Sequence, residues 1–429
     1  DSDLRVRHDD PDPDLRVWHD PDLRVRHDSD SDLGVRHDSD SDLGVRHDSD
    51  SDLGVRHDSD LRRQAVVRAV VLVGGEGTRL RPLTLAAPKQ MLPVVELPMI
   101  ERVLGALAAH GIDDAVLSLG YRPDAFINAY PAGVVAGVRV TYAVEPSPLD
   151  TAGAIRFAAL HGGIAETFVV VNGDVLTDLD VGSLVAFHRD RGALATIALT
   201  PVEDPSSFGV VPTDGDGAVT AFIEKPPRGE APTNLINAGT YVLEPTVLDR
   251  IPGDRRVSIE RETFPLLVRD RQLYALGTES YWLDTGTPAT YLKAHLDLLL
   301  GRRAGPPHPL ATPDPDTGSG VWRLGTMSPL EGAVTATLVG SGALVGAGAT
   351  VDGSVLGAGS SVEAGAVVSG SLLLPGARVA ARASVTGSIV GPGSTIGQRC
   401  VVTGLSVIGA GVVMPSGSVV DGERVPVGA

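Results

Sequence analysis

The chain has 429 residues, 42% apolar but only 4% aromatic, which is enough for two or three domains with cores of Ala, Val, Leu and Ile. A net charge of −18 argues against a nucleic-acid-binding surface, and a single cysteine, Cys400, excludes an intramolecular disulfide and fits a reducing, cytoplasmic setting. No apolar run nears the length of a membrane helix, and the acidic N-terminus lacks the apolar stretch of a signal peptide.

In chain order, residues 1–63 come first and are low in complexity. The decapeptide RHDSDSDLGV occurs three times between Arg26 and Val55, and each unit offers only Leu and Val for burial, which predicts a disordered tail. The tail holds 19 Asp against 10 Arg, so half of the net charge, −9, sits there. Six of the 11 histidines alternate with those aspartates, and a solvated tail is preferred to a metal-binding tract. The chain opens without Met and its first is Met91, so the tail reads as a mis-set start or expanded repeat and the working protein is expected from near Gln64.

Residues 64–300 alternate strand-like runs (Val66–Val73, Ala115–Leu119, Phe168–Val171, Ala195–Leu199, Gly239–Leu243) with helical spacing at Met99–His110, Thr151–Leu160 and Val181–Arg191. Such alternation predicts an α/β domain with a Rossmann-like, mostly parallel sheet that binds its ligand beyond the carboxyl ends of the strands. Residues 301–320, rich in Pro and Gly, read as a linker. Over 321–429, apolar residues recur from Val339 to Val420 in steps of six with three steps of five, Leu356, Leu374, Val390 and Ile408 among them, often with Gly next. That period predicts a three-sided parallel β-helix, three faces to a coil.

The first strand runs into Val73-Gly74-Gly75-Glu76-Gly77-Thr78-Arg79-Leu80-Arg81-Pro82, a glycine loop whose N–H groups and arginines suit a phosphate, followed by Pro88-Lys89-Gln90-Met91-Leu92-Pro93. It is neither a Walker loop nor a dinucleotide fingerprint. Asp174 ends the apolar strand FVVVNGD, where it suits either an Mg²⁺ ligand or a helix cap, and Asp284 in WLDTGTP carries the same two readings. Lys225 in EKP suits either a phosphate or a solvated surface.

GGEGTRLRPLT with PK and LP, then LDTAGAI (149–155), VNGDVL (171–176), FIEKP (222–226), INAGTYVL (236–243) and YWLDTGTP (281–288), resemble the sugar-nucleotide pyrophosphorylases in family order across nearly all of 66–300. With the hexapeptide tail, the layout is most similar to the actinobacterial mannose-1-phosphate guanylyltransferases, whose tail is a left-handed β-helix. The resemblance implies a nucleotidyltransferase making an NDP-sugar and pyrophosphate from a nucleoside triphosphate and a sugar 1-phosphate, foremost GDP-mannose from GTP and mannose 1-phosphate. It implies Mg²⁺ on Asp174 and Asp284, and Arg79 and Lys89 neutralising the triphosphate. It places nucleotide at Gly74, Gly75, Gly77, Thr78, Thr151 and Gly153, with Ala152 between. Sugar phosphate falls to Glu224, Lys225, Asn237 and Gly239. Two departures stand out: Gln90 replaces the usual Pro, and Asp150 replaces a Gly where the chain is expected to need φ > 0, which Asp tolerates better than most residues.

The implied reaction is an in-line displacement by a phosphate oxygen that is already anionic, so no general base is required. An acetyltransferase role for the β-helix would use a His base, and 321–429 contain none, the last being His308. The β-helix is expected to serve assembly as a homo-oligomer. A thymidylyl- or uridylyltransferase acting on glucose 1-phosphate and a non-catalytic regulatory paralogue are the competing readings.

Overall fold

The structure is a computed structural model that describes residues 67–426 except 304, 318, 319 and 327. The tail expected over 1–63 and the start near Gln64 lie outside the described residues. Residues Ala65–Ala429 form one compact unit.

The unit begins with β1 (Arg68–Val73), β2 (Pro93–Val94), β3 (Leu97–Pro98), α1 (Met99–Ala109), β4 (Asp114–Leu119), β5 (Val138–Val144), α2 (Asp150–His161) and β6 (Phe168–Asn172). It continues through β7 (Val175–Thr177), α3 (Val181–Arg191), β8 (Ala195–Pro201), β9 (Leu235–Leu243), α4 (Phe264–Arg269), β10 (Leu273–Gly277), β11 (Trp282–Asp284) and α5 (Pro288–Leu299). The main sheet has the order β5-β4-β1-β6-β9-β8-β10. β5, β4, β1 and β6 are parallel, and β9 runs antiparallel to both β6 and β8. The chain leaves β1 toward β4 on one side and returns to β6 on the other, so a topological switch point opens at the carboxyl end of β1.

Buried parallel strands need apolar residues on both faces, and β1 and β6 supply them. Ala69, Val71 and Val73 face a core made with α1, α3 and α5, while Val70 faces one made with α2 and α4. The five expected strand runs all appear. β9 begins at Leu235 rather than Gly239, because a bulge between Asn237 and Tyr241 lets the strand continue past the glycine.

Residues 333–425 wind into a left-handed parallel β-helix with three sheets of short strands. Partners lie 17 residues apart in the first coils, as Val339 opposite Leu356 and Leu356 opposite Leu373, and 18 apart in a later one, Val390 opposite Ile408. The inward residue of the third coil is therefore Leu373, not the expected Leu374. Leu374 belongs instead to the core shared with the α/β part, because the turn that follows Leu373 points it outward. One corner is held by a hydroxyl ladder of Thr337, Ser354, Ser371, Ser388 and Ser406, all fully buried. Ser354 N–H donates to Thr337 Oγ1 (3.3 Å), Ser371 N–H to Ser354 Oγ (3.1 Å) and Ser388 N–H to Ser371 Oγ (3.1 Å).

One face of the β-helix is not a surface. Its outward residues Leu338, Val355, Leu372, Ile389 and Val407 are at most 1% exposed and join the core of α1, α3 and α5. On the other faces Leu344, Val413 and Val419 are 52–70% exposed. The segment expected as a linker is also tied down, since Arg102 donates to the Pro307 carbonyl (3.1 Å), Arg303 pairs with Asp178, and Thr312–Pro313 pairs with Trp322–Arg323. Its proline carbonyls and charged ends find partners that composition does not reveal. Among the described residues no helix is long and apolar enough to cross a membrane.

Two consequences can be measured. Ser371→Ala leaves the Ser388 N–H buried without its acceptor, so unfolding free energy in denaturant titration falls by about 1–3 kcal/mol. Burial, aided by Arg102, holds His308 at about 4 and His295 at about 3. An unfolded histidine takes its proton near 6.5, so this stability is complete above that pH and drains as pH falls toward 4 and then 3. Melting temperature is expected to drop between pH 7 and 5, and to drop less in His308→Gln.

Candidate active site

The loop after β1 lies at the switch point and is built on itself. Gly75 and Gly77 have φ of 92° and 61°. A Cβ on Gly77 would come within 2.9 Å of Thr84 Cγ2 and 3.2 Å of Lys89 Cβ, and the Thr84 hydroxyl donates to the Gly77 carbonyl (2.9 Å). Leu80 and Leu83, both 1% exposed, anchor the loop in the core. Gly74 stands against open space, and Thr78–Leu80 form a short 3-10 turn that leaves Arg79 largely exposed.

Two carboxylates converge here. Asp174 follows β6 across Gly173, whose Cβ would lie 2.9 Å from the Leu72 carbonyl oxygen. Asp284 ends β11, which pairs antiparallel with β7 so that Asp284 stands opposite Val175. The Thr285 N–H and hydroxyl both donate to the Asp174 carbonyl, at 3.1 and 2.9 Å. Lys89 Nζ donates to Asp174 Oδ2, and Arg79 lies 4.0 Å from Asp284. Burial, then the charge of Asp174, push the Asp284 carboxyl above its ordinary range, against the pull of the Gly286 N–H, Arg79 and Lys89. Neither residue caps a helix: Thr287 caps α5 in a capping box, and Asp180 caps α3. A buried carboxyl held above its ordinary range beside a second carboxylate suits a hard cation, with water and phosphate oxygens completing its shell.

Of the residues expected to meet sugar phosphate, Asn237 and Gly239 lie on β9, while Glu224 ends the short strand Ile223–Glu224, which is separated from β9 by Gly209–Val210, and Lys225 follows it. Asn237 Oδ1 accepts from Gly239 N–H (2.9 Å), and its amide donates to Tyr241 (2.9 Å). Gly239 has φ 73°, and a side chain there would overlap the Asn172 amide. Lys225 takes the left-handed conformation, φ 51°, with its ammonium exposed and 3.4 Å from Glu224. A left-handed lysine is a strained conformation of the kind that gathers at functional sites.

On the other side of the switch point, Asp150 has φ 62°, as the glycine it replaces would, and its carboxylate accepts from Thr151 N–H (2.9 Å). The Thr151 hydroxyl donates to Glu260 (2.7 Å) and accepts from Ile259 N–H (2.9 Å), and Gly153 N–H donates to the Val257 carbonyl (3.2 Å). Thr151 and Gly153 thus fix the start of α2, and Gly153 supplies room rather than a free donor. Gln90 is 1% exposed, with neither amide atom hydrogen-bonded. Sequence reasoning missed Glu145, at the end of β5, which accepts from the Ser118 hydroxyl (3.0 Å) and Leu149 N–H (3.1 Å). It also missed Gly286, whose Cβ would lie 2.6 Å from Arg79 Nη2 and 2.8 Å from Asp284 Oδ1. The lone G of DTGTP was the available signal.

The nucleotidyl transferase family matches residues 68–300, and the GMPPB C-terminal domain matches 333–427. A mannose-1-phosphate guanylyltransferase of Mycobacterium tuberculosis is 42% identical over 292 residues, covering 67% of this chain and 79% of that one. A mannose-1-phosphate guanyltransferase of Schizosaccharomyces pombe is 41% identical, covering 57% and 68%. A putative glucose-1-phosphate thymidylyltransferase of Bacillus anthracis, solved with a sucrose, shares the fold at TM-score 0.50 and 24% identity, covering 56% of this chain and 96% of that one. The chain belongs to the nucleotidyl transferase family and is an enzyme.

The site's packing makes a direct prediction. Gly239→Ala combines a left-handed backbone with overlap on Asn172, so it destabilises the protein by about 1–3 kcal/mol, read as a lowered melting temperature.

Proposed function

We propose that the protein joins mannose 1-phosphate to GTP, releasing pyrophosphate and GDP-mannose. The observation that carries the reading is the convergence of Asp174, Asp284, Lys89 and Arg79 beside the glycine loop at the switch point. The roughly 40% identity to guanylyltransferases supports the choice of base and sugar.

A phosphate oxygen of mannose 1-phosphate attacks the α-phosphorus of GTP. The new P–O bond forms as the bond to the bridging oxygen of the β-phosphate breaks, and pyrophosphate leaves with that electron pair. The nucleophile is anionic near neutral pH, so positioning and charge neutralisation carry the rate. The loop N–H groups at Gly74, Gly75, Gly77 and Thr78 cradle the triphosphate, and Arg79 and Lys89 balance the charge that builds on pyrophosphate. Lys225 meets the sugar phosphate; Glu224 and Asn237 meet hexose hydroxyls, and Gly239 keeps the backbone close to the ring. Thr151 and Gly153 shape the nucleotide side. Asp174 and Asp284 would hold Mg²⁺, which supplies positive charge to the reacting phosphates. In this reading residues 64–300 are catalytic, 301–320 connect, and 321–429 are the β-helix, whose exposed faces serve a cytoplasmic homo-oligomer.

The test is pyrophosphate release with Mg²⁺ across GTP, dTTP, UTP, ATP and CTP, each paired with mannose 1-phosphate or glucose 1-phosphate. GTP with mannose 1-phosphate is expected to dominate. Preference for dTTP or UTP with glucose 1-phosphate would move the product to the competing transferase, and silence from folded protein would favour a regulatory paralogue. Asp174→Asn is expected to lower kcat by about 100-fold or more with little change in melting temperature. Lys225→Ala should raise KM for the sugar phosphate by roughly tenfold or more and leave KM for the nucleotide near its parent value.

A further inference from the structure

The two-residue turn between β2 and β3 breaks a local rule. Pro93 pairs with Pro98 and Val94 with Leu97, so Val95 and Glu96 alone make the reversal, and both are left-handed, with φ of 49° and 68°. Hairpins of this kind use Asn-Gly or Asp-Gly, because a β-branched residue at positive φ is a genuine outlier. A turn so ill-suited to its residues persists only where its surroundings over-determine it.

Three elements do so. From α5, His295 Nδ1 accepts the Val95 N–H (3.2 Å). From α1, Arg102 donates to the carbonyls of Val94 (2.7 Å) and Val95 (3.3 Å). From the β-helix, Ala358 N–H donates to the Glu96 carboxylate (3.0 Å). Val95 itself is fully buried.

The hairpin is also a near neighbour of the reacting groups along the chain. Lys89 lies four residues before Pro93, and Asp284 four residues before the start of α5 at Pro288. The Tyr291 hydroxyl of α5 donates to the Pro93 carbonyl. The segments that leave the site from Lys89 and from Asp284 are thus fastened to each other at the hairpin, and the β-helix closes the clamp.

We propose that the Val95–Glu96 turn is a positioning device for the transfer reaction: the β-helix, through the Ala358 N–H, holds a strained hairpin in the form that sets Lys89 and Asp284 in register. Glu96 is a positioning residue, and the β-helix is a working part of the active site. The inference rests on the transferase reading above.

Position 96 separates this role from plain stabilisation, because Ala and Gly both remove the carboxylate but only Gly is at ease at φ 68°. In the full chain, kcat and both KM values are measured with GTP and mannose 1-phosphate for the parent, Glu96→Ala, Glu96→Gly and Glu96→Gln, alongside melting temperature. Glu96→Ala is expected to lower kcat between about tenfold and 100-fold, the scale of a misplacement near 1 Å. Glu96→Gly should recover most of that loss, and Glu96→Gln, which keeps an acceptor for Ala358, should stay near the parent. Equal losses in Ala and Gly would overturn the proposal, as would a lowered melting temperature in Ala with kcat unchanged. If Glu96→Ala does not fold, Gly falling far below Gln overturns it. An inactive parent would instead refute the transferase reading.

Discussion

The short antiparallel pairing of Val175–Thr177 with Trp282–Asp284 is the contact on which the site depends. It brings together two carboxylates 110 positions apart in the chain and sets Asp284 beside the residue that follows Asp174. Left alone, that juxtaposition is unfavourable: burial and like charge both raise the proton affinity of Asp284. Lys89 and Arg79 offset part of the repulsion, and both come from one stretch of chain, the loop and turn that follow β1. Even with both cations present, the Asp284 carboxyl stays above its ordinary range, and in the proposed reaction the charge of a metal–triphosphate complex would relieve that repulsion.

Holding such a site takes rigid supports, and the molecule provides them from outside the sheet. α5 begins just past Asp284, under a capping box at Thr287, and its Tyr291 and His295 reach the hairpin that follows Lys89. The outward residues of one β-helix face fill the remaining side of the same core. Catalytic half and repeat half therefore share a hydrophobic cluster, although their sequences look like separate modules joined by a Pro-rich linker. Composition detects what a segment can do alone; the buried His308 and the Arg303–Asp178 pair are properties of where the segment lands.

Much of the architecture was legible because it is written in short periods. Strands β1 and β6 announce themselves as apolar runs, and the six-residue steps from Val345 to Val351 and from Val362 to Val368 announce the β-helix. The slip between Leu374 and Leu373 shows the limit of period counting: two adjacent leucines serve two different cores, and only the fold separates them. The left-handed backbone at Asp150 was foreseen, because the position calls for the freedom of glycine. The Val95–Glu96 turn was not, since nothing in Val-Glu signals a hairpin; its conformation is imposed by His295, Arg102 and Ala358, which lie between 7 and 262 positions from the turn residues they bond. Glu145 and Gly286 stayed hidden for a related reason, their significance being that of their neighbours in space.

The shared core has a consequence for how the protein is made. A ribosome delivers residues 67–300 first, and at ordinary elongation rates the β-helix follows on the order of ten seconds later. Through that interval the apolar patch destined to meet Leu338, Val355, Leu372, Ile389 and Val407 has no cover. Repeat coils, by contrast, add one at a time, each on the edge of the last. Biogenesis then ends with a docking step in which a nascent, already sheeted catalytic half waits for its growing lid. The vulnerable moment for this chain, when chaperones or aggregation compete for it, lies in synthesis rather than in the finished molecule.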